Sequence, residues 1–594
     1  MKIMQIYSNS SRFNPVKFNE RFNIVLGDIQ YENDLDKDSH NLGKSTLINL
    51  IDYMLLKDMD KEHFLKNTSF ETHIFFIELK LNSNKYLTVK RSVENNTKIS
   101  FKQHDEPYKN FVNEMEWDYF ELGMNSKNNE DNAKFVLNKY LNFDVLKYES
   151  YRKTINYFFR GQNDYSDIFK LNKFRGSDSK WKPILFDLLG FETKGMVDKY
   201  DLDNEKETKL KLIEQIENEF HISDKDVDKI KGFVDSRDQE KEQIIKWLDD
   251  FNFYSQDNKI ARELVHEIEE RISTLNSKKY DLDYEINEID KSLKENLTYN
   301  FDEIKQIYEE TKIFFSEQLV KEYQELIDFN DKVFNERKQY LLKSLEKKKN
   351  TLSLIDKELI QLNNKRVKNM NTFTQSDTFE KYNAYRESLV SVEKEITKYE
   401  TEMENADVIK NLRKEISKID NQIEKSANIL QEQINAGNME YRNIRRDFRD
   451  FVKCIINHEA QLWLSLNGNG NIDFKEGIFD SKNQITSQDD GHTYKKIMCA
   501  CFDLALVKNY IGHSFYRTVY HDGCLEALDP RKQKQYLDLV RQISAEYDVQ
   551  YILTALKSDI PSDENGKYLP KTYEIAVTLS DATDDSGRLF GFSF

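Results

Sequence analysis

Cysteine and proline are scarce in this sequence, and long apolar runs are missing. The four cysteines, Cys454, Cys499, Cys501 and Cys524, form no Cys-x-x-Cys pair and lie in apolar surroundings, which favours buried reduced thiols. Because the middle of the chain has no cysteine, a cysteine-based metal site at the tip of a coiled coil is excluded. No secretory leader and no apolar run near about eighteen residues occurs, so we expect a cytoplasmic protein without a membrane partner.

Only 6 prolines and 18 glycines occur among 594 residues, while 32% of the residues are charged. That composition is typical of a long helical segment between compact parts. The formal charge of −17 argues against a general nucleic-acid coat protein, although it is compatible with a local basic face. The 38 phenylalanines and 32 tyrosines are sufficient for a substantial core.

A motif near the start of the chain indicates a triphosphate site. A plausible buried strand at residues 22–26 precedes Asn-Leu-Gly-Lys-Ser-Thr at residues 41–46, and apolar residues then recur at helical spacing. Backbone N–H groups and the helix N-terminus would hold the phosphates, Lys44 would reach the β/γ oxygens, and the Ser45 hydroxyl would ligate Mg²⁺. The ATP-binding residues predicted here are Gly27, Asn41, Gly43, Lys44, Ser45 and Thr46.

The loop departs from the usual motif, which places its first glycine about five residues before the second. That position is Asp38, and the nearest earlier glycine, Gly27, precedes Gly43 by sixteen residues, so the loop carries about eleven extra residues. The extra residues are rich in acids, and we interpret them as a solvent flap that returns at Asn41. A bare Gly-Lys-Ser-Thr is also a common start of a surface helix. Whether it binds nucleotide therefore has to be judged from the rest of the chain.

The middle of the chain has the pattern of a coiled coil. Apolar residues alternate at three- and four-residue spacing in runs that begin at Val265, Leu345, Leu389 and Leu412. A seven-residue repeat over several heptads predicts a left-handed coiled coil, with helical turns on a globular core as the alternative. Residues 369–377 are the preferred point of reversal, since a comparable helix follows them. We therefore divide the chain into an N-terminal ATPase lobe (1–196), a coiled-coil arm (197–440) and a C-terminal ATPase lobe (441–594).

The C-terminal part supplies groups that a nucleotide site would still lack. A probable buried strand ends at Asp522, whose carboxylate can hold the Mg²⁺ shell beside Ser45. Asp529 follows seven residues later in Ala-Leu-Asp-Pro, which is the spacing of the D-loop in ABC-type ATPases. Both acids are also ordinary turn residues when considered singly.

A helix near residues 497–507 begins where ABC ATPases carry the signature that meets the ATP of the opposite subunit. Polar residues before a helix N-terminus form a natural anion site, although most helices begin in this way. The ATP contacts predicted from this segment are Gly491, His492, Thr493, Tyr494 and Lys495.

The order of these motifs resembles the SMC/RecN class of ABC ATPases. Within that class the chain is similar to the bacterial ABC three-component or Lamassu-type antiphage proteins, in its displaced loop glycine, its 329–341 stretch and its His521–Asp522 strand end. The resemblance implies an α/β, ABC-type head formed by both lobes and joined by an antiparallel coiled coil. It implies ATP and Mg²⁺ as cofactors, Asp522 and Gln162 as catalytic groups, and Ser45, Gln162 and Asp522 around the metal.

The partners follow from the same resemblance. They are a second copy of the chain joined through ATP-bridged heads, double-stranded DNA that is foreign or broken, a small accessory subunit, and a companion effector that is a nuclease or a protease. The leading hypothesis is thus an ATP-gated DNA sensor in an antiphage defence complex. A non-hydrolysing ATP-bound scaffold and a RecN-like DNA-repair ATPase are the alternatives.

Two positions depart from the ABC pattern. The glutamate that usually follows the strand-end acid as general base is replaced by Gly523, and the switch histidine expected after Thr554 is Ala555. Hydrolysis should therefore be slow or conditional. His521, Glu526 or a partner chain can substitute, and we favour Glu526 because a turn can bring its carboxylate back towards the phosphate.

The densest basic and aromatic run, residues 441–453, is the candidate DNA-binding surface. Its arginines fall on neighbouring helical positions and can neutralise phosphates without reading the sequence. A solvated face paired with Asp and Glu is the alternative. The predicted DNA-binding residues are Arg442, Arg445, Arg446 and Arg449.

Overall fold

The computed structural model describes residues 1–29, 42–126, 128–147, 150–171, 176–220, 222, 227–249, 259–295, 317–370, 376–480, 484, 492–561, 568–581 and 585–594. They form two compact units. Most of the first unit consists of Met1–Tyr200 and Glu424–Phe594, and the second contains Asp201–Lys312 and Lys321–Ile423.

The strands all belong to the first unit. In chain order they are β1 Lys2–Ser8, β2 Val16–Lys17, β3 Phe22–Asp28, β4 Ile74–Lys80, β5 Tyr86–Ser92, β6 Lys98–His104, β7 Tyr119–Gly123, β8 Phe159–Arg160, β9 Glu459–Leu466, β10 Ile472–Phe479, β11 Thr518–Asp522, β12 Gln550–Leu556 and β13 Ile575–Ser580.

The helices differ greatly in length between the two units. In chain order they are α1 Lys44–Met54, α2 Ala133–Leu141, α3 Tyr151–Thr154, α4 Lys182–Leu188, α5 Lys194–Phe220, α6 Val227–Asp249, α7 Lys259–Glu295, α8 Glu317–Met370, α9 Ser376–Ala436, α10 Met439–Ile456, α11 His492–Asn509 and α12 Pro530–Glu546. Among the described residues, no helix combines the length and apolar character that crossing a membrane requires.

A parallel sheet in the order β13-β3-β12-β11-β8 forms the centre of the first unit. The strands β3, β8, β11 and β12 are almost completely buried, as expected for parallel strands covered on both faces, whereas the edge strand β13 is more exposed. Gly27 pairs with Leu556 and Asp522 pairs with Thr554, so the carboxyl ends of β3, β11 and β12 lie along one edge. Ligands of open α/β sheets bind at such an edge.

A six-stranded antiparallel sheet in the order β2-β1-β4-β5-β6-β7 completes the lobe. The β4–β5 hairpin turns at Asn84, which has a φ of +62°, a left-handed conformation that asparagine tolerates. The N-terminus contacts the C-terminal part of the chain, since the Met1 amine donates a hydrogen bond of 2.7 Å to the Phe515 carbonyl. The α/β fold class predicted from the sequence is confirmed, with a head built from both ends of the chain.

The second unit consists of long helices that pack against one another in antiparallel pairs. Ile213 and Ile230 share a buried cluster with Ala406–Ile416, whereas Ile244 packs with Leu389–Ile396, so α5 and α6 run against α9. The pairs Arg271–Glu358 and Lys348–Glu285 align α7 with α8 in the same antiparallel sense. The predicted heptads provide the buried positions of α7 and α8 and many of those of α9, as in a coiled coil, whereas the buried residues of α5 and α6 were not predicted.

Buried residues and ion pairs also relate α7, α8 and α9 to one another. Buried Ile272 and Leu275 of α7 pack with Ile355 and Leu359 of α8. Arg366 of α8 and Arg386 of α9 both pair with Glu269 of α7, at 3.7 and 2.6 Å, so α8 and α9 pass the same point of α7 on either side of the expected reversal. Residues 371–375 lie outside the described part of the chain, and the reversal at 369–377 stays a prediction.

The unit boundaries also differ from the expected ones. The first unit extends to Tyr200 and resumes at Glu424, whereas the sequence placed these boundaries after residues 196 and 440. The reason for the larger difference is local packing. Leu430 of α9 is fully buried in the core of the first unit, and a Cβ added at Gly195 would lie 3.9 Å from Leu430 Cδ2.

Candidate functional site

Lys44 lies at the carboxyl edge of the parallel sheet, as the first residue of α1. Gly43 caps this helix with a φ of +97°, which only glycine adopts without strain. Gly27 at the end of β3 leaves room for the lysine stem, because a Cβ added there would lie 3.1 Å from Lys44 Cδ. Ser45 and Thr46 follow in the first turn of α1, and Asn41 lies outside the described residues.

Leu589 is a second support of this loop that the sequence did not reveal. A Cβ added at Gly43 would lie 2.7 Å from Leu589 Cβ, and the Leu589 amide donates a hydrogen bond of 3.2 Å to the Leu42 carbonyl. Asn14 holds this segment, donating from Nδ2 to the carbonyl oxygens of Ser586 and Arg588. The loop is therefore fixed from the distant end of the chain.

Asp522 is buried at the end of β11 and faces the start of α1. Thr554 donates a hydrogen bond to Asp522 Oδ1 and accepts one of 3.0 Å from the Gly523 amide. Burial raises the pKa of Asp522, while hydrogen bonds from Ser45 and Thr554 and the positive charges of Lys44 and Lys496 lower it. Oδ2 has no hydrogen-bond partner among the described residues. This buried oxygen has the character of a metal ligand beside Ser45.

The charge of Lys44 complements this acid. Burial lowers the pKa of Lys44, and the negative charges of Asp522, Glu526 and Asp559 oppose the shift. Asp559, which follows β12, was not predicted from the sequence. The lysine is thus surrounded by acids on the edge where a phosphate would lie.

Gly523 and Glu526 form one tight turn after β11. Gly523 has a φ of +66°, and a Cβ added there would lie 2.9 Å from the Glu526 carboxyl carbon. The carboxylate of Glu526 therefore fills the space that a side chain at 523 would enter. Gln162, two residues after the end of β8, donates from Nε2 to Glu526 Oε1 at 3.2 Å, which leaves its own Oε1 available to a metal.

Lys496 is a further residue of the site that sequence reasoning missed. Its Nζ donates a buried hydrogen bond of 3.1 Å to the Gly523 carbonyl and lies 3.7 Å from Glu526 Oε2. The ammonium also lies 5.8 Å from the centre of the Tyr165 ring. Its position one residue after a predicted ATP-binding segment was the only signal in the sequence.

His521 is held away from this turn in a buried network. Its Nε2 lies 3.0 Å from Asp503 Oδ2 and its Nδ1 lies 2.6 Å from the Tyr551 hydroxyl. Arg160 donates to both oxygens of Asp503, at 2.6 and 2.9 Å. Burial lowers the pKa of His521, with Asp503 opposing the shift. The network joins β8, β11, β12 and α11 behind the site.

The predicted signature residues lie at the start of α11. Gly491 is outside the described residues, as is the side chain of His492. Tyr494 accepts a hydrogen bond of 2.8 Å from Lys532, and Lys495 pairs with Glu476 at 2.7 Å. Among the described contacts, none joins Thr493, Tyr494 or Lys495 to Lys44 or Asp522.

Asp529 is the N-cap of α12. It accepts hydrogen bonds from the Arg531 amide at 3.0 Å and from Arg531 Nε at 3.1 Å. These bonds to Arg531 lower the pKa of Asp529. In the described chain its contacts are those of a helix cap.

The predicted DNA-binding arginines lie on α10 and differ in their partners. Arg446 and Arg449 are exposed and pair with the adjacent Asp447 and Asp450. Arg442 donates to the Asn438 carbonyl at 3.1 Å, and Arg445 lies over the ring of Tyr441 at 5.3 Å. The face combines cationic groups with local acids, so part of its positive charge is neutralised.

The described residues contain no cluster of three or more His, Cys, Asp or Glu side chains that could hold a metal alone. A phosphate-bound Mg²⁺ does not require one, since it is usually held by one or two protein groups together with phosphate oxygens and water. Ser45 and Asp522 fit that requirement, and Gln162 can add an amide oxygen.

Comparisons with known proteins are limited to part of the chain or to weak similarity. Residues 451–594 match a family described as an uncharacterised protein conserved in bacteria, DUF2326. No curated protein matches the chain.

Two solved structures illustrate the structural similarity. One is the Smc head domain with a coiled coil and joint from Pyrococcus yayanosii, at 12% identity and a TM-score of 0.34 over 93% of this chain and 92% of that chain. The other is the Smc head domain with an extended coiled coil bound to the C-terminal domain of ScpA from Pyrococcus furiosus, at 11% identity and a TM-score of 0.31 over 94% and 90%. TM-scores this low do not establish a shared fold, so the fold class rests on the sheets and helices of this chain.

Proposed function

We propose that this chain is an ATP-binding subunit of the SMC-like ABC class. The observation that carries the proposal is the meeting of Lys44, Ser45 and Asp522 at one sheet edge, although the first two come from the beginning of the chain and the third from its end. A helix N-terminus and a lysine suit phosphate, and a hydroxyl with a carboxylate suits Mg²⁺. Bound Mg²⁺ would neutralise charge on the phosphate oxygens.

Glu526 is the residue that we assign as general base. Its carboxylate occupies the space beside Gly523, where the usual glutamate would begin, and it contacts Gln162. A base must lie within hydrogen-bond reach of the water that it activates, directly or through one further water. Single-turnover hydrolysis by Glu526→Gln should fall at least tenfold while ATP affinity stays within about twofold of wild type. A hydrolysis rate equal to that of wild type would show that Glu526 is a structural residue and not the general base.

ATP should join two copies, because the motifs resemble those of ABC ATPases, in which the signature segment meets the ATP of the opposite subunit, and the start of α11 occupies the place of that segment in the chain. Lys44→Ala should lose ATP binding, measured by calorimetry. Thr493→Arg should retain binding and lose ATP-dependent dimerisation, measured by light scattering after size exclusion. Thr208→Arg, which adds the same charge at an exposed coil position, is the matched control. Equal dimerisation of Thr493→Arg and the control would refute the arrangement.

The biological role is proposed to be that of a DNA-sensing subunit in a bacterial antiphage complex that controls a nuclease or protease effector. It is supported by the resemblance of the motifs and by the arginines of α10. Reversal of Arg445 and Arg446 to Glu should weaken duplex binding, more at low salt than at high salt, because phosphate contacts release counterions. The control Lys211→Glu with Lys418→Glu changes the net charge equally on exposed coil positions. Equal loss in both double variants would indicate a general charge effect.

A scaffold that binds ATP without hydrolysing it is the second candidate. Gly523 favours it, since this position carries no carboxylate. The two candidates differ in one measurement, which is the phosphate released from bound ATP with DNA and companion proteins present. Release in no condition, with intact ATP binding, would favour the scaffold over an enzyme and would also exclude a RecN-like repair ATPase.

A further inference from the structure

Lys496 is a buried cation to which the proposed function assigns no role. The ammonium faces the turn after β11, where it donates to the Gly523 carbonyl at 3.1 Å and approaches Glu526 Oε2 to 3.7 Å. An ammonium carries three donors and is costly to bury without partners. Its described partners therefore anchor α11 to this turn.

The two oxygens of Glu526 face different elements. Oε1 accepts from Gln162 after β8, whereas Oε2 faces Lys496 on α11. Gly523 cannot restrain the carboxylate through a side chain of its own. The position of Glu526 is thus set by two neighbours, and one of them belongs to α11.

Lys496 follows directly after Thr493, Tyr494 and Lys495, the segment assigned to the ATP of a second copy. A helix moves as a rigid element over one turn, so a displacement of this N-terminus also displaces Lys496. Asp503 attaches the same helix to Arg160 and His521, which lie behind the site. The helix is therefore held on one side and contacts the candidate base on the other.

We propose that Lys496 is a positioning residue that holds Glu526 in place and couples it to whatever binds the N-terminus of α11. The inference rests on the proposed function and names a regulatory contact of the same site. It makes hydrolysis sensitive to the second copy, because Glu526 is held correctly only when α11 is in its proper position.

The test uses the full chain with Lys496→Met, Lys496→Arg and the control Lys508→Met. The control lies on the same helix and pairs with Asp447 at 3.1 Å, away from the turn. Hydrogen exchange of residues 523–528 is measured without nucleotide and with ATP and Mg²⁺, beside ATP affinity and single-turnover hydrolysis. Exchange reports the turn even where hydrolysis is absent.

The expected result for Lys496→Met has three parts. ATP affinity stays within about twofold of wild type, the turn exchanges at least tenfold faster, and ATP no longer protects it as it does in wild type. Hydrolysis falls about tenfold or more, and Lys496→Arg, which retains a donor and the charge, restores most of both effects.

Two results would overturn the proposal. Exchange of the turn at the wild-type rate in Lys496→Met would show that Lys496 does not hold it. Faster exchange with unchanged hydrolysis and unchanged protection by ATP would show a merely structural contact. Failure of the proposed function gives a different result, since wild type would then bind ATP no better than Lys44→Ala. That result would also refute the coupling, which depends on ATP binding. If wild type binds ATP without hydrolysing it, loss of ATP-dependent protection in Lys496→Met decides in favour of the coupling.

Discussion

Arginine and acid pairs have opposite surroundings in the two units of this chain. Arg160 and Asp503 in the first unit are completely buried, and the guanidinium has further carbonyl acceptors. Arg271 and Glu358 in the coil pair at 2.8 Å, but their side chains are 54% and 42% exposed. Removing one partner of a buried pair leaves an uncompensated charge, whereas water replaces the partner at the surface. An arginine–acid pair therefore fixes the positions of its side chains in the first unit, whereas in the second unit it lies on the solvent-exposed surface of the helices.

The largest effect is expected from Arg160→Met. The substitution leaves the Asp503 carboxylate buried without a guanidinium partner, and this should lower the free energy of unfolding by about 3–5 kcal/mol. Denaturant unfolding measures the loss. Asp503→Asn in the same background should recover part of it, because the uncompensated charge is then gone. A cost below about 1 kcal/mol would show that buried and exposed pairs do not differ as proposed.

Leu589→Ala should have the next largest effect on the free energy of unfolding, and it should also weaken the support of the phosphate loop. Leu589 is fully buried against Gly43, so truncation creates a cavity and costs about 2–5 kcal/mol. ATP affinity should fall as well, because the loop loses its support. Leu569→Ala is the matched control, since Leu569 is 50% exposed. Unchanged ATP affinity in a destabilised Leu589→Ala protein would separate the loop from this contact.

Asp522→Asn should stabilise the nucleotide-free protein at neutral pH while it removes Mg²⁺-dependent ATP binding. Burial raises the pKa of Asp522 in the folded state, so the ionised carboxylate opposes folding at neutral pH. This penalty is present above the folded pKa, diminishes as the pH falls through it, and is absent below the unfolded pKa. The melting temperatures of variant and wild type should therefore converge on acidification. A variant that is less stable than wild type at neutral pH would contradict this account.

Arg271→Met should have the smallest effect, less than about 0.5 kcal/mol on the free energy of unfolding. It repeats the substitution made at Arg160, so the two values compare burial directly. Added salt should reduce even this difference, because exposed charges are screened. A loss similar to that of Arg160→Met would refute the comparison.

Local patterns were sufficient to predict much of the fold. The spacing of Leu47 to Met54 predicted α1, and its apolar face is buried. The strand before Asp522 was predicted from its apolar composition, and the structure ends β11 at that residue. The heptads predicted the coiled-coil core, including Ile272 and Ile355. Such features depend on periods within one segment, which the sequence displays directly.

The site itself could be predicted only in part. Gly43, Lys44 and Ser45 form a contiguous motif, and strand ends are recognisable, so the sequence suggested that Lys44, Ser45 and Asp522 belong together. The Gln162–Glu526 hydrogen bond required the order of strands in the sheet. The sequence could not indicate which strands become neighbours when more than three hundred residues separate them.

The sequence by itself determined the periodic elements, the phosphate-loop motif and the missing glutamate at Gly523. The tertiary structure alone decided that α7 pairs with α8, that Leu589 supports Gly43, and that Lys496 reaches Glu526. The physical reason is the same in each case. These contacts join segments that are distant along the chain, and their partners are selected by packing and by the burial of charge, for which a single sequence carries no local signal.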